Sequence, residues 1–287
     1  MMQPRTESWT VLKILRWTAD YFRGKQIESA RLDAELLLSA TLEMDRVTLY
    51  VNFERPLNAD ELSSYREKVQ RRASREPIQY ILAETEFWSL PFNVNPAVLI
   101  PRADTEVLVE EALKRMDGCC SVLDIGTGSG AIAIALAHEM PEIYVTAIDC
   151  SEAALEVARG NVRRNGVENR VACLAGDLKS LPAGPFDVIV SNPPYISSRD
   201  WEQLMPEVRD HEPRLALDGG DDGLEAYRRI AVQAVQVLSP DGWLLVEVGI
   251  GQATVVSALF RAAGLTDVTQ RDYYAGIPRV VTGRKQL

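Results

Sequence analysis

The chain has 287 residues, room for two domains with separate cores, and its 46% hydrophobic and 25% charged content are those of an ordinary globular protein. No apolar run approaches the ~18 residues a membrane helix needs, and residues 1–10 lack the cationic-then-apolar pattern of a secretory signal. A cytoplasmic protein without membrane contact is expected. The net charge of −10 is uneven: residues 1–76 hold 13 Lys+Arg and 12 Asp+Glu, the remainder 18 against 29, which argues against stable nucleic-acid binding by the larger part. Cys119, Cys120, Cys150 and Cys173 show no C-x-x-C spacing and read as buried small hydrophobes, so no metal site is expected.

Residues 1–76 read as a helical bundle. Residues 9–22 carry Leu12, Leu15, Trp17, Ala19 and Phe22 at helical spacing, and residues 29–42 carry Ala30, Leu32, Ala34, Leu36, Leu37 and Leu38. Asn58 caps a third helix, with Asp60 and Glu61 in its first turn, that runs to about Arg75. Its end carries a basic cluster, Lys68, Arg71, Arg72 and Arg75. That cluster is either a solvated helix face or a contact for an acidic or ribosome-associated partner. Residues 77–100 change texture. Residues 85–94 alternate as a β-hairpin does, and the stretch reads as a connector between domains.

From residue 101 helical and strand patterns alternate. Strands are expected at 121–125, 144–149, 171–175, 186–190, 243–248, 266–271 and 278–282, and helices at 105–115, 131–138, 151–165, 224–238 and 253–263. That is a seven-stranded, mostly parallel, doubly wound α/β sheet, in which ligands bind at the carboxyl ends of the strands.

Chemistry-bearing residues cluster at those ends. After the first strand, Gly126-Thr127-Gly128-Ser129-Gly130 lets the backbone turn sharply and a ligand approach the main chain. The dinucleotide fingerprint needs its third glycine one residue later, and no G-K-[ST] follows as in a P-loop. Asp149 ends the second strand, where a carboxylate accepts ribose hydroxyls or caps the next helix; Ser151 is the better cap. Asp177 and Leu178 follow the third strand and suit an adenine amine and ring face. After the fourth strand stands Asn192-Pro193-Pro194-Tyr195. The Asn192 side-chain oxygen and the Pro193 carbonyl can accept both N–H bonds of a planar nitrogen. The prolines hold the backbone extended, and Tyr195 can stack on the planar group.

Together these residues resemble the class I S-adenosylmethionine-dependent methyltransferases, and the tetrapeptide resembles the amino-methyltransferases of adenine, guanine or glutamine amides. Leu99-Ile100-Pro101-Arg102-Ala103-Asp104-Thr105-Glu106 is similar to a segment of the HemK/PrmC family. So are residues 212–224, Glu247-Val248-Gly249 with Gln252, and Asp272 with Gly276 and Arg279. The resemblance implies a Rossmann-like methyltransferase domain behind a helical substrate-recognition domain. It implies transfer of a methyl group to the glutamine N5 in the Gly-Gly-Gln loop of class-1 peptide chain release factors. It assigns Gly126, Thr127, Gly128, Ser129, Gly130, Asp149, Asp177, Leu178 and Asn192 to the donor. Asn192, Pro193, Pro194 and Tyr195 fall to the substrate, with Asn192, Pro193 and Tyr195 catalytic. Ala83 and Ala103 depart from the family's glycine and proline. Arg102 is open between the donor and a surface salt bridge, Thr105 between the donor pocket and a helix cap. His138 and His211 read as structural, and Trp201 and Met205 as lining an entrance or packing a covering helix. A monomer is expected. Against this reading stand a nucleobase amino-methyltransferase, disfavoured by the acidic body, and a donor-binding adaptor without catalysis, disfavoured by the intact tetrapeptide.

Overall fold

The computed structural model describes residues 8–118, 120–273 and 276–286, so Cys119 and most of the N-terminal stretch lie outside it. The chain divides at Ala83 into two compact units.

The first unit holds α1 (Val11–Gly24), α2 (Ala30–Leu42), α3 (Arg46–Val51), α4 (Ala59–Ala73) and α5 (Ile78–Leu82). Asn58 and Glu61 form a reciprocal capping box at the start of α4, satisfying two amides that would otherwise lack partners. Val11, Phe22, Ala34, Leu37, Leu38, Leu49 and Tyr65 form its core. Two expected core positions are surface instead. Leu32 is exposed, and Trp17 is exposed with its ring stacked 5.3 Å from Tyr21. Thr18 takes the inward place beside Leu15, so the buried stripe runs one position away from the indole. The basic cluster is not a free cationic face. Arg72 is buried on Asp33 at 2.7 Å, Arg71 pairs with Glu76 at 2.6 Å, and Arg75 donates to the carbonyl of Gln26.

α3 and α5 are absent from the sequence-based expectation. Each is about one turn long, too short for a hydrophobic period to register. α5 extends the first unit six residues beyond the expected boundary at 76, and ends on Ala83 at φ 60. That is the left-handed conformation a glycine adopts without a Cβ penalty, which explains why glycine is common there in the resembling family.

The second unit begins with the hairpin β1 (Glu84–Phe87) and β2 (Leu90–Asn93). It is part of the second unit's packing and not a detached connector: Phe87 and Phe92 sit in that unit's core. Asn161, fully buried on α8 (Glu152–Arg164), donates to the carbonyls of Asn93 and Ser129 at 3.0 and 2.8 Å and accepts from the Asn93 amide at 2.7 Å. One side chain thus ties the hairpin to the glycine turn.

The seven-stranded sheet has the order β5-β4-β3-β6-β7-β9-β8. Its strands are β3 (Ser121–Ile125), β4 (Tyr144–Asp149), β5 (Val171–Ala175), β6 (Phe186–Ser191), β7 (Leu238–Glu247), β8 (Leu265–Asp272) and β9 (Pro278–Lys285). β3 to β7 pair in parallel, while β9 runs antiparallel to both β7 and β8. Alternate residues of one strand serve opposite faces. Val122, Val188, Val190 and Leu245 pack under α6 (Glu106–Leu113) and α7 (Ala131–Glu139). Leu123, Ile189, Leu244 and Val246 pack under α10 (Glu225–Val237) and α11 (Ala253–Ala262). The chain winds outward from β3 to β5, then returns to place β6 beside β3. That reversal opens a crevice at the carboxyl ends of β3, β4 and β6. Of the cysteines, Cys120 is buried and Cys173 half-buried, but Cys150 is exposed because it follows the last residue of β4. Among the described residues no helix is long and apolar enough to cross a membrane.

Relieving the Ala83 conformation tests the boundary. Ala83→Gly should raise stability by about 1 kcal/mol, read as a higher denaturant midpoint at unchanged slope.

Candidate active site

A cavity of about 380 Å³ lies at those strand ends, lined by residues 126–129 of the glycine turn, Asp149, Asp177, Leu178, Asn192 and Pro193. β3 hands the chain to α7 through Gly126, Gly128 and Gly130, with φ of 72, 55 and 84. A Cβ on Gly130 would also stand 3.1 Å from Ile134 Cδ1, so the close turn excludes side chains twice over. The Gly126 and Thr127 amides both donate to the Ile148 carbonyl at 2.9 Å. Asp149 accepts from the Gly128 amide through one oxygen and from the Ser151 amide through the other, each at 2.9 Å. It therefore braces the glycine turn and the start of α8, and each oxygen keeps a lone pair for a ligand. Ser151 is the helix cap, accepting from the Ala154 amide at 3.2 Å. Asp177 spends one oxygen on the Lys179 and Ser180 amides at 2.8 and 3.3 Å.

The acceptor side leaves the adjacent strand. Ser191, fully buried, donates its hydroxyl to the Ile125 carbonyl at 2.7 Å. Asn192 Nδ2 donates to Thr105 Oγ1 at 3.2 Å, and Thr105 donates to Glu247 Oε2 at 2.5 Å. The chain after it is held by backbone: the Ile196 amide donates to Leu217 and the Gly219 amide to Ile196, at 2.9 and 2.8 Å. Gln252 donates to the carbonyls of Tyr195 and Gly223 at 2.9 and 3.2 Å and accepts from the Gly249 amide at 3.0 Å. A Cβ on Gly223 would meet the Tyr195 oxygen at 2.4 Å. Arg102 pairs with buried Glu212, and Arg279 with Asp104 at 2.8 Å.

Residues 13–82 match the family described as PrmC N-terminal domain, and residues 103–209 that described as Methyltransferase small domain. The release factor glutamine methyltransferase of Geobacter sulfurreducens is 52% identical over 99% of both chains. The chain belongs to the release factor glutamine methyltransferase family. Relatives of that name from Bradyrhizobium diazoefficiens and Caulobacter vibrioides are 45% and 41% identical, over 94% and 96% of this chain and 93% and 97% of theirs. A methyltransferase of Pyrococcus furiosus shares the fold, with a TM-score of 0.55 at 20% identity over 78% of this chain and 100% of that one.

Against these coordinates the sequence-based site resolves into two groups. Gly126, Thr127, Gly128, Ser129, Asp149, Asp177, Leu178, Asn192, Pro193 and Pro194 line one cavity, while Gly130 does not and faces Ile134 and Ala158 instead. Tyr195 does not line it. Its ring packs against the α10–α11 core, with Gly249 as the surface in front of it. Burial pushes its hydroxyl up to about 12, so the phenol stays neutral. Thr105 occupies the cap position just before α6 but makes no side-chain cap there, because Glu247 takes its hydroxyl instead; it lines the cavity. Arg102 is neither free nor an ordinary surface pair, since its partner Glu212 is buried. Ala103 opens a short helical turn after the extended Arg102, a position that alanine and proline both fit. Trp201 sits under Arg214, and neither it nor exposed Met205 lines the cavity. His138 is exposed in the last turn of α7.

Sequence reasoning passed over Asp124 and Glu247 as functional groups, although both are acids inside apolar strand runs. Such an acid is the available signal, since an unpartnered carboxylate is costly there. Both are buried, and loss of hydration pushes each up to about 7, opposed by a hydrogen bond from Thr127 and Thr105 respectively. Asp124 is also raised by the nearby charge of Asp149.

The sign of the linkage follows. Asp124 in the folded protein holds a proton that the unfolded chain, at the ordinary 3.8, has lost. Its contribution to stability is complete below about pH 4 and drains as pH rises through about 7. Asp124→Asn should therefore flatten the fall in Tm between pH 4.5 and 8 relative to wild type, measured by thermal melting.

Proposed function

We propose that this chain transfers the methyl group of S-adenosylmethionine to the N5 side-chain amide nitrogen of the glutamine in the Gly-Gly-Gln loop of class-1 peptide chain release factors. The observation that supports it most is the single cavity in which the glycine turn and Asn192-Pro193 face each other from paired strands. The residues fit the donor. Asp149 retains lone pairs for the ribose hydroxyls, and the second Asp177 oxygen suits the adenine amine, with Leu178 against the ring. Gly126, Thr127, Gly128, Ser129 and Gly130 offer main chain to the amino-acid end. Bound there, the donor supplies an electrophilic methyl group on a sulfonium centre.

The chain's own task is to make a poor nucleophile react. An amide nitrogen's lone pair is delocalised into its carbonyl. Asn192 Oδ1 and the Pro193 carbonyl accept its two N–H bonds, fix its orientation and stabilise the positive charge that grows as the N–C bond forms. No strong base is required, since the nitrogen proton becomes acidic only as that bond forms. Pro193 and Pro194 keep the acceptors in place. Tyr195 acts from behind the cavity wall, through its carbonyl held by Gln252. The helical unit recognises the release factor. The enzyme is a cytoplasmic monomer, and its acidic catalytic part binds no nucleic acid stably.

Mass spectrometry of a class-1 release factor incubated with donor should find one added methyl group on the Gly-Gly-Gln glutamine. Salt-sensitive labelling of DNA or RNA with an unmodified release factor would transfer the reading to a nucleobase. Asn192→Ala should lower kcat about 10²–10³-fold while donor Kd moves only a few-fold, because its bonds tighten in the transition state.

A further inference from the structure

Three groups from three separate elements form a continuous hydrogen-bonded line: Glu247 at the end of β7, Thr105 before α6, and Asn192 after β6. Glu247 and Thr105 are 1% and 5% exposed, so water does not substitute for either. The charged neighbours of Glu247 are Arg279 from β9, and Asp104 and Arg102 beside Thr105. The phenols of Tyr195 and Tyr227 also face it, and the Tyr227 hydroxyl donates to the Glu247 main-chain carbonyl at 2.9 Å. Both guanidiniums are engaged elsewhere, Arg279 by Asp104 and Arg102 by Glu212. Thr105 is thus the hydrogen-bond partner through which the Glu247 carboxyl meets the active site.

A hydroxyl has one proton to donate. An ionised Glu247 only accepts, so Thr105 must donate to it and can only accept from Asn192. That turns Asn192 Nδ2 to Thr105 and leaves Oδ1 for the cavity. A protonated Glu247 has its own proton to donate to Thr105. The Thr105 hydroxyl is then free to donate to Asn192 Oδ1, with the amide turned over. Nδ2 would face the substrate amide, donor against donor.

We propose that Glu247 and Thr105 are positioning residues whose proton arrangement decides which end of the Asn192 amide faces the substrate, so that methyl transfer requires ionised Glu247. No bond other than hydrogen bonds changes; the proton on Glu247 comes from and returns to solvent. The inference rests on Asn192 Oδ1 accepting the substrate amide. Burial, which pushes the Glu247 carboxyl up to about 7, places the change within the working pH range of a cell. Asp124 is raised to a similar level on the donor side, so a pH profile alone does not identify the group.

The test is kcat at saturating donor and release factor from about pH 5.5 to 9, for wild type, Glu247→Gln, Thr105→Val and Thr105→Ser, with donor Kd and thermal melting measured on each. Wild type should lose activity below about pH 7, approaching tenfold per pH unit. Thr105→Ser should keep that acidic limb. Glu247→Gln and Thr105→Val should lack it, and Thr105→Val should show a kcat at least tenfold lower at pH 8.5 with KM and donor Kd within about threefold of wild type. An acidic limb unchanged in Glu247→Gln overturns the proposal, as does wild-type kcat in Thr105→Val, which decides the matter should Glu247→Gln not fold. A wild type active without an acidic limb also overturns it. A wild type that methylates no release factor at any pH overturns the functional reading first and this inference with it.

Discussion

The Ser191 hydroxyl on the Ile125 carbonyl, 2.7 Å long and fully buried, joins the two halves of the active site. Ile125 and Ser191 are register partners at the ends of parallel strands β3 and β6. One residue further on, the first strand becomes the glycine turn and the second becomes Asn192. Parallel strands lie about 4.8 Å apart, so this pairing sets the distance between the turn and the tetrapeptide before any ligand arrives. A slip of one residue would send every alternate side chain to the other face of the sheet. Val188 and Ile189, packed in opposite cores, forbid that slip.

A wall built on that pairing must still keep its polar groups in order inside an apolar fold. Asp149 does so by accepting from the Gly128 amide of the turn and the Ser151 amide just before α8. Asp124 and Glu247 each take a hydroxyl donor, Thr127 and Thr105, Asp124 with a further bond from the Ala133 amide, and loss of hydration outweighs these bonds. Burial therefore leaves Asp124 and Glu247 poised to gain a proton near neutrality.

The alternation of strands and helices was legible because each buried parallel strand is a short apolar run bounded by glycine or an acid. That Gly126, Gly128, Asp149, Asp177 and Asn192 share one cavity was legible for a related reason: polar or glycine residues directly after such a run lie at the ligand edge. What escaped notice depends on contacts between distant segments. Thr105 reads equally as a helix cap or as part of the donor pocket until Glu247, 142 residues away, takes its hydroxyl and leaves it lining the cavity. Tyr195 reads as a stacking face until the glycines at 223 and 249 show where its backbone and ring are accommodated. Trp17 obeys helical spacing yet faces outward, since periodicity fixes a stripe only to within about one residue in each turn. Strand β7 starts at Leu238 instead of 243, because Pro240-Asp241-Gly242 looks like a turn but continues the pairing with β6 through a bulge.

The tetrapeptide owes its rigidity to neighbours more than to its prolines. Pro193 and Pro194 restrict two dihedrals but provide no attachment. Attachment comes from main-chain bonds of Ile196 to Leu217 and Gly219, and from Gln252 bridging Tyr195, Gly223 and Gly249. Such close backbone approach is available only where side chains are missing. The 2.8 Å from a Cβ on Gly219 to the Pro194 oxygen marks the same requirement from the other side. The segments at 99–106, 212–224 and 247–252 thus converge on one task although they are far apart in the chain. They hold residues 192–196 in place from behind, with Asn192, Pro193 and Pro194 left lining the cavity.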